Sequence, residues 1–431
     1  MDWKTSVVCI PECLVSDALA KVPKIIRLYD RDRKNDIALQ GDNVHYSPGS
    51  TAPFILDRSG MIRKPVSADL VNLVKLADAL ENIEIQSTAL IPSDVPDNIA
   101  DVHRLFLVVK NSPKPIMTGA FSFEGLKDMR RILQIVAGGE AELSRTPMAV
   151  FCACPTSPLR WTDFAVQTLM HCCSSGIPVE IVPAPQLGAT GPATIAGSLV
   201  QHNVEFLSGL VISQLTKLGA PVIYGGAPAT FDMRYCTPRS GAIETMMGVS
   251  AYAQVAKYYE LPTSAYVGDT DAKTIDAQAG FESGVGIVLA TLAGVNIVSG
   301  SGGMNFLNIQ SLEKLVIDDA ICGMARRLKQ GIVVNDETIA CEAIKKVGSG
   351  GHYLNLKHTA AWFRKEQFMP SPVVDRQSLE AWKTRGSPNS VANASEVVER
   401  VLREHAPERL PPDVEIPLDA AMKDMMKRRG V

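Results

Sequence analysis

The sequence predicts an α/β protein of the (β/α)8 TIM barrel class, and three observations point there. Short apolar, β-branched runs recur along the chain, each ending in small or polar residues. A helical pattern follows each run, as expected for parallel strands buried on both faces. Nearly all the Gly, Asp and Thr available for chemistry fall between a strand and the next helix, where such barrels build their sites. The pattern is clearest over 182–303, from VPAPQLGATGPATIAG through PVIYGGAPATFDMR and TSAYVGDTDAKTIDAQAG to NIVSGSGGMNF.

In chain order, residues 1–42 read as an N-terminal segment, with a short helix Leu14–Ala20 and an extended YDRDRKNDIAL stretch packaging the closed end. Asn43–Pro48 is the first strand. After a Gly/Ser/Pro-rich excursion, Ser67 is placed as N-cap of a helix in which Leu70, Leu73, Val74, Ala77 and Leu80 recur at helical spacing. Strands Ile83–Ser87, Pro115–Thr118, Met148–Ala153 and Val179–Val182 follow, with helices Asn98–Val109, Phe123–Val136, Trp161–Ser174 and Pro192–Leu218. Strands Val222–Tyr224, Ser264–Val267 and Asn296–Val298 complete the set, with helices Ser240–Tyr259, Ile275–Leu292 and Ser311–Lys329. One early strand is expected to fall outside the barrel. The barrel is assigned to 43–330, and 331–431 to a C-terminal helical extension packed on its outside.

At 431 residues the chain exceeds an ordinary domain, yet barrels with insertions reach this size around one core. A net charge of −3 offers no electrostatic case for nucleic acid. The nine cysteines are scattered and odd in number, which fits reduced thiols and a cytoplasmic location. The start, MDWKTSVVCIPECL, lacks an apolar signal core, so no export is expected. The longest apolar run, Gly284–Val298, is broken by Thr291 and Asn296 and suits a buried helix feeding a strand, not a membrane span.

Candidate functional residues cluster on the strand-end loops. GDTDAKTIDAQAG places Asp269, Asp271, Lys273, Asp276 and Gln278 together. Asp271 or Thr274 capping the next helix, with Asp276 in its positive first turn, competes with a reading in which at least one of them points into the barrel mouth. Lys273 is weighed as a Schiff-base lysine below a surface role, because such amines sit desolvated on strands. In GATGPATIAG, Pro192 marks a helix start with Thr190 as its N-cap, offering N–H groups to a carboxylate or phosphate. GSGG at 300–303 stands where barrels bind phosphate, although tight-turn geometry explains it better. Asp232 and Arg234 can pair with each other as easily as with a substrate. Cys152 and Cys154 share a strand face without a third ligand nearby in sequence, and His45, His352 and His358 read as structural, so no protein-held metal is assigned. Tyr46, Phe121, Tyr224, Phe231, Tyr235, Tyr266 and Phe306 are each core-like; together they can form a cage for a quaternary ammonium ion, at about 2 kcal/mol per desolvated cation–π contact.

IPECLVSDALAKVPK, RLYDRDRKNDIAL, VHYSPGSTAPFILD, VSADLVNLVKLADAL, ENIEIQSTALIPSDVP, CPTSPLRW, VPAPQLGATGPATIAG, GAPVIYGG, DTDAKTIDAQAGFE and LVIDDAICGMARRL together resemble the trimethylamine methyltransferase family of corrinoid-dependent methyltransferases. The resemblance covers nearly the whole chain. It implies a barrel that passes a methyl group from an amine to the cobalt of a separate, small corrinoid (cobalamin-type) protein docked over the mouth, with no cofactor bound by this chain. It also implies a place in methylamine metabolism of the kind related to methanogenesis. Relatives carry a few dozen residues ahead of IPECLVSDALAKVPK that are missing here, which bears on closure of the barrel's bottom or a subunit contact. The trimethylamine enzymes carry pyrrolysine near the GDTDAK loop, whereas this chain reads through with ordinary residues, like homologues that resemble glycine betaine and related quaternary-amine methyltransferases.

The chemistry agrees with that division. Co(I) attacking a methyl carbon needs a leaving group that departs neutral, and a quaternary ammonium already carries the charge. The expected substrate-binding set is Tyr46, Phe121, Thr190, Tyr224, Arg234, Tyr266, Asp269, Asp271 and Gln278, with neutral aromatic and hydroxyl groups nearest the nitrogen and no catalytic residue assigned. Thr190 with helix N–H groups, or Arg234, is expected to hold a betaine carboxylate, and Tyr46, Thr190 and Asp269 to converge on one hollow. The alternatives are a betaine-binding or structural subunit without turnover and a phosphate-handling, aldolase-type barrel; a homo-oligomer stays open.

Overall fold

Eight of the apolar runs adopt strands in the computed structural model, which describes residues 6–49 and 51–431. They are β1 (His45–Pro48), β2 (Gln86–Ser87), β3 (Ile116–Thr118), β4 (Ala149–Ala153), β5 (Val179–Ile181), β6 (Val222–Tyr224), β7 (Ser264–Ala265) and β8 (Ile297–Ser301). β2 to β6 form one parallel sheet, and β7, β8 and β1 another. Parallel bridges Tyr46–Ile83 and Tyr224–Thr263 join the two, so the barrel closes without a free edge. Each run named from the sequence fills one place. The expectation that an early strand drops out is therefore corrected.

Helices α1 (Ser67–Ala79), α2 (Ala100–Asn111), α3 (Phe123–Ala137), α4 (Asp163–Ser175), α5 (Ile195–Thr216), α6 (Ile243–Tyr258), α7 (Ala277–Leu292) and α8 (Leu312–Gln330) surround the strands. Three caps differ from expectation. Val66, not Ser67, is the N-cap of α1, because the Asp69 carboxylate reaches back to the Val66 N–H at 2.8 Å. Thr194 caps α5 by accepting from Gly197, while Thr190 is used in its own turn, accepting from the Gln186 N–H at 2.9 Å. Asp276 caps α7, taking the Gln278 and Ala279 N–H groups that neither Asp271 nor Thr274 takes.

Strand side chains alternate between helix layer and lumen, and this alternation builds the site. Ile85, Met117, Val150, Ile223 and Ile297 form an apolar floor in the lumen. Ile26, Leu28 and Leu39 plug it from below, carried by an antiparallel hairpin, Ile26–Tyr29 with Asp36–Leu39, where an extended segment was expected. Two residues further along their strands, the same face carries Ser87, Gly119, Cys152, Gly225 and Ser299, joined by Glu180 of β5 and Ser264 of β7. A dry floor therefore supports a layer of small and polar groups. Outside, the helix Ser390–Glu404 packs on α8 and α1, and Pro412–Arg428 on α3 and α2. Arg428 and Arg429 hold the latter to Asp128 at 2.9 and 2.5 Å.

Leu28 is wholly buried in the floor. Leu28→Ala is expected to cost about 2–5 kcal/mol in urea unfolding, the usual range for a buried Leu truncation; a loss below about 1 kcal/mol would show that the hairpin does not plug the barrel.

Candidate functional site

Glu180 is the charged group that the barrel's inner face carries into this layer. Its neighbour in sequence, Ile181, packs in the helix-side core, so alternation turns Glu180 inward, where it is fully buried. The carboxyl accepts from the Ser264 hydroxyl, from the Cys152 thiol at 3.1 Å and from the Tyr266 hydroxyl at 3.2 Å. Burial raises its pKa, and these three hydrogen bonds pull the other way. Among the described residues no Lys or Arg pairs with it. A buried carboxyl with only neutral donors is an incomplete electrostatic arrangement that a cation can complete.

Cys152 connects this cluster to a cavity. Its thiol lies 3.1 Å from the Tyr266 hydroxyl, and it also lines a hollow of about 210 Å³ with Thr51, Gly119, Phe121, Cys154 and Phe164. Behind Gly119 and Phe121 sits Arg104, fully buried on α2. Its guanidinium donates to the Thr88 carbonyl at 2.9 Å and the Gly119 carbonyl at 3.2 Å, and stacks 4.4 Å from the centroid of the Phe121 ring. Burial lowers its pKa to about 10, and its Nε has no hydrogen-bond partner among the described residues. Arg104 thus sits behind the Gly119 and Phe121 side of the hollow and Glu180 behind Cys152, and neither side chain lines it.

The structure separates the residues grouped from the sequence. Tyr46 and Tyr224 face the helix layer: the Tyr46 hydroxyl meets Thr291 Oγ1 of α7 at 2.9 Å, and Tyr224 packs on Phe206 and donates to Asn203 at 3.0 Å. Both leave the substrate set, because their strand parity points them away from the lumen. Thr190 is held in its turn, and Arg234 is tied to Asp232 at 2.8 Å. Tyr235 is 73% exposed beside Arg234, and Phe306 lies under the Lys273 ammonium. The common hollow expected for Tyr46, Thr190 and Asp269 does not form, and neither does the wide aromatic cage. Of the expected set, Phe121 lines the hollow, and Tyr266 lies behind Cys152, which lines it too. Glu180 and Arg104 were not singled out from the sequence; the available signal was an acid inside the apolar strand VEIV and an arginine on the inner side of an amphipathic helix.

The acidic loop after β7 is a belt around its own neighbours. The Glu282 carboxylate accepts from Thr270 Oγ1 at 2.5 Å, from the Asp271 N–H at 2.8 Å and from the Gln278 amide at 2.9 Å. Lys273 is exposed and donates to the Asp271 carbonyl at 2.7 Å, far from the desolvation a Schiff-base amine needs. The GSGG stretch is likewise committed: the Gly302 N–H donates to Asp318 at 2.7 Å, and Asp318 forms a fully buried pair with Lys314 at 2.6 Å. An internal carboxylate thus takes the Gly302 N–H.

A family model described as trimethylamine methyltransferase matches residues 2–430. A trimethylamine methyltransferase of Desulfitobacterium hafniense (strain DSM 10664 / DCB-2) is 33% identical, covering 100% of this chain and 87% of the relative. A glycine betaine methyltransferase of Desulfitobacterium hafniense (strain Y51) is 33% identical over 96% of this chain and 87% of its own length. Among solved structures, the Methanosarcina barkeri monomethylamine methyltransferase superposes with a TM-score of 0.55 at 12% identity, covering 98% of this chain and 81% of that one, a likeness of fold. No helix among the described residues is long and apolar enough to cross a membrane.

Asp269 generates a pH-dependent prediction. Ser240 Oγ lies 2.6 Å from Asp269 and 3.0 Å from Asp271, and one hydroxyl proton cannot serve two carboxylates. Asp271 also accepts the Gly241 N–H at 3.0 Å, so Asp269 is the better holder of a second proton. Burial raises its pKa to about 7. The folded chain therefore binds this proton more tightly than the unfolded one, and stability rises as pH falls through about 7 and is lost as pH rises through it. The Tm of the native chain is expected to fall between pH 6 and pH 8, and Asp269→Asn to flatten that slope; an unchanged slope would remove Asp269 as the titrating group.

Proposed function

This chain belongs to the trimethylamine methyltransferase family and is a methyltransferase, and from that premise we propose that it moves a methyl group from a quaternary amine, glycine betaine first among them, to the Co(I) of a separate corrinoid protein. The charge layout of the mouth carries the reading. A hollow large enough for one small molecule has Arg104 behind its Phe121 side and Glu180 behind Cys152, and neither of these has an ion-pair partner among the described residues. A zwitterion with an ammonium at one end and a carboxylate at the other complements that layout. Each charge-assisted contact is worth about 1.5–3 kcal/mol.

The neutral groups around Glu180 have a purpose in this reading. Ser264, Cys152 and Tyr266 disperse its charge, so the ammonium meets hydroxyl, thiol and aromatic surface before carboxylate. A bare anion pressed against the nitrogen would stabilise the substrate more than the transition state, where positive charge is leaving. The partner's corrinoid supplies the nucleophilic cobalt when it docks at the mouth. As the C–N bond breaks, the electron pair stays on nitrogen and dimethylglycine departs with a neutral amine and its carboxylate, so no proton has to move. What this chain contributes is binding, aim and the dry floor beneath the site.

Incubation with glycine betaine and a Co(I) corrinoid protein is expected to yield dimethylglycine and methylated corrinoid in equal amounts; spectra that stay Co(I) with every quaternary amine tried would reject the reading. Arg104→Gln is expected to reduce the preference for glycine betaine over choline, measured as a ratio of kcat/KM values, by about 10-fold or more, in line with the loss of one charged contact. A ratio that does not move would take Arg104 out of substrate recognition.

A further inference from the structure

Resting on the substrate reading above, we infer that the carboxylate end of the zwitterion is held by the start of α4, and that the Thr168 hydroxyl selects for it. Arg104 and Glu180 both sit behind residues that line the hollow, so groups in its own walls have to meet the ligand. No Asp, Glu, Lys or Arg is among the described residues that line it. A carboxylate entering the hollow is therefore met by hydroxyl, thiol and backbone N–H groups, and it stays only where enough of them are free to donate.

α4 brings such groups together. Thr162, Phe164, Ala165 and Thr168 carry its opening turns into the wall of the hollow. The first turn of a helix leaves N–H groups without intrahelical acceptors and carries the positive end of the peptide dipoles. Thr162, the N-cap, takes the Ala165 N–H at 3.2 Å. The Asp163 and Phe164 N–H groups have no acceptor among the described residues. Asp163 itself is exposed to solvent and outside the lining, so its charge does not close the site to an anion.

Water can satisfy a helix start, and Thr168 adds an independent mark of a ligand. It is 2% exposed, it lines the hollow, and its Oγ1 has no hydrogen-bond partner among the described residues. A serine or threonine inside a helix usually bonds back to the carbonyl four residues earlier, and Ser174 and Ser175 of the same helix do so at 2.8 and 2.9 Å. Thr168 makes no such bond to Phe164. Its side chain lies on the face it shares with Phe164 and Ala165, the face that borders the hollow. A buried hydroxyl without a partner costs stability, and a carboxylate arriving with the ligand supplies the acceptor it lacks. Elsewhere on the hollow, Cys152 has Glu180 behind it for the ammonium end.

Calorimetric titration of the native chain, without any corrinoid protein, is expected to show tighter binding of glycine betaine than of ethyltrimethylammonium, which has the same ammonium and no carboxylate. Thr168→Val keeps the shape of the side chain and removes the hydroxyl. It should weaken glycine betaine by about 10-fold or more, the worth of one hydrogen bond to a charged group, and leave ethyltrimethylammonium within about 2-fold. Thr168→Ser, which keeps the hydroxyl, should retain the native preference. The ligand-free Tm of Thr168→Val should equal or exceed the native value, because the lost hydroxyl has no partner there. A Thr168→Val protein that keeps the native preference would overturn the inference and leave the substrate reading standing; a native chain that binds the two ligands alike would overturn both. If the valine variant fails to fold, Thr168→Ala decides: a preference as strong as the native one would overturn the inference.

Discussion

A carboxyl group taken out of water must be compensated, and the arrangement of this barrel follows from how Glu180 is compensated. Its inner-face position on β5 leaves it no access to solvent, and its hydrogen-bond partners are hydroxyl and thiol groups. Neutral donors offset only part of the desolvation cost of an anion. The free chain therefore holds its proton more tightly, and a cation entering the hollow shifts that balance. The apolar floor below sharpens the effect by excluding water, and the small residues around the inner face leave the space a ligand needs.

Lys314 and Asp318 show what a completed buried charge looks like in the same molecule. Both side chains are fully buried, 2.6 Å apart, and the pair is further satisfied by Ser283 and the Gly302 N–H. That arrangement pins the loop after β8 and leaves nothing for a ligand to add. Arg104 and Glu180 differ in this respect: each is hydrogen-bonded, yet neither forms an ion pair among the described residues. Paired charges hold the scaffold, and the unpaired ones sit just behind residues that line the hollow.

Much of the fold was legible because its signal is periodic. Apolar runs and helical spacing located every barrel strand, since β-branched stretches buried on both faces can do little else. The caps were less legible, because Asp69 and Asp276 compete with nearby Ser and Thr for the same N–H groups and only geometry decides between them. The site was least legible. Tyr46 and Tyr224 are attractive aromatics whose strand parity turns them outward, a property of register that spacing does not reveal. The density of acids in GDTDAK reflects a belt that closes on Glu282 and Ser240, whereas Glu180, a lone acid in an apolar strand, was the more informative residue. Arg104 reaches the site from a helix through a long side chain, which no local pattern reports.

The central claim is that Glu180 is the counter-charge for a substrate cation. It is tested most directly with tetramethylammonium, a permanent cation without a carboxylate, titrated calorimetrically into the native chain and into Glu180→Gln. The account predicts that the substitution, which keeps the size of the side chain and removes its charge, weakens binding by about 10-fold or more, the loss of one desolvated charge contact. Equal affinity in the two proteins would contradict it.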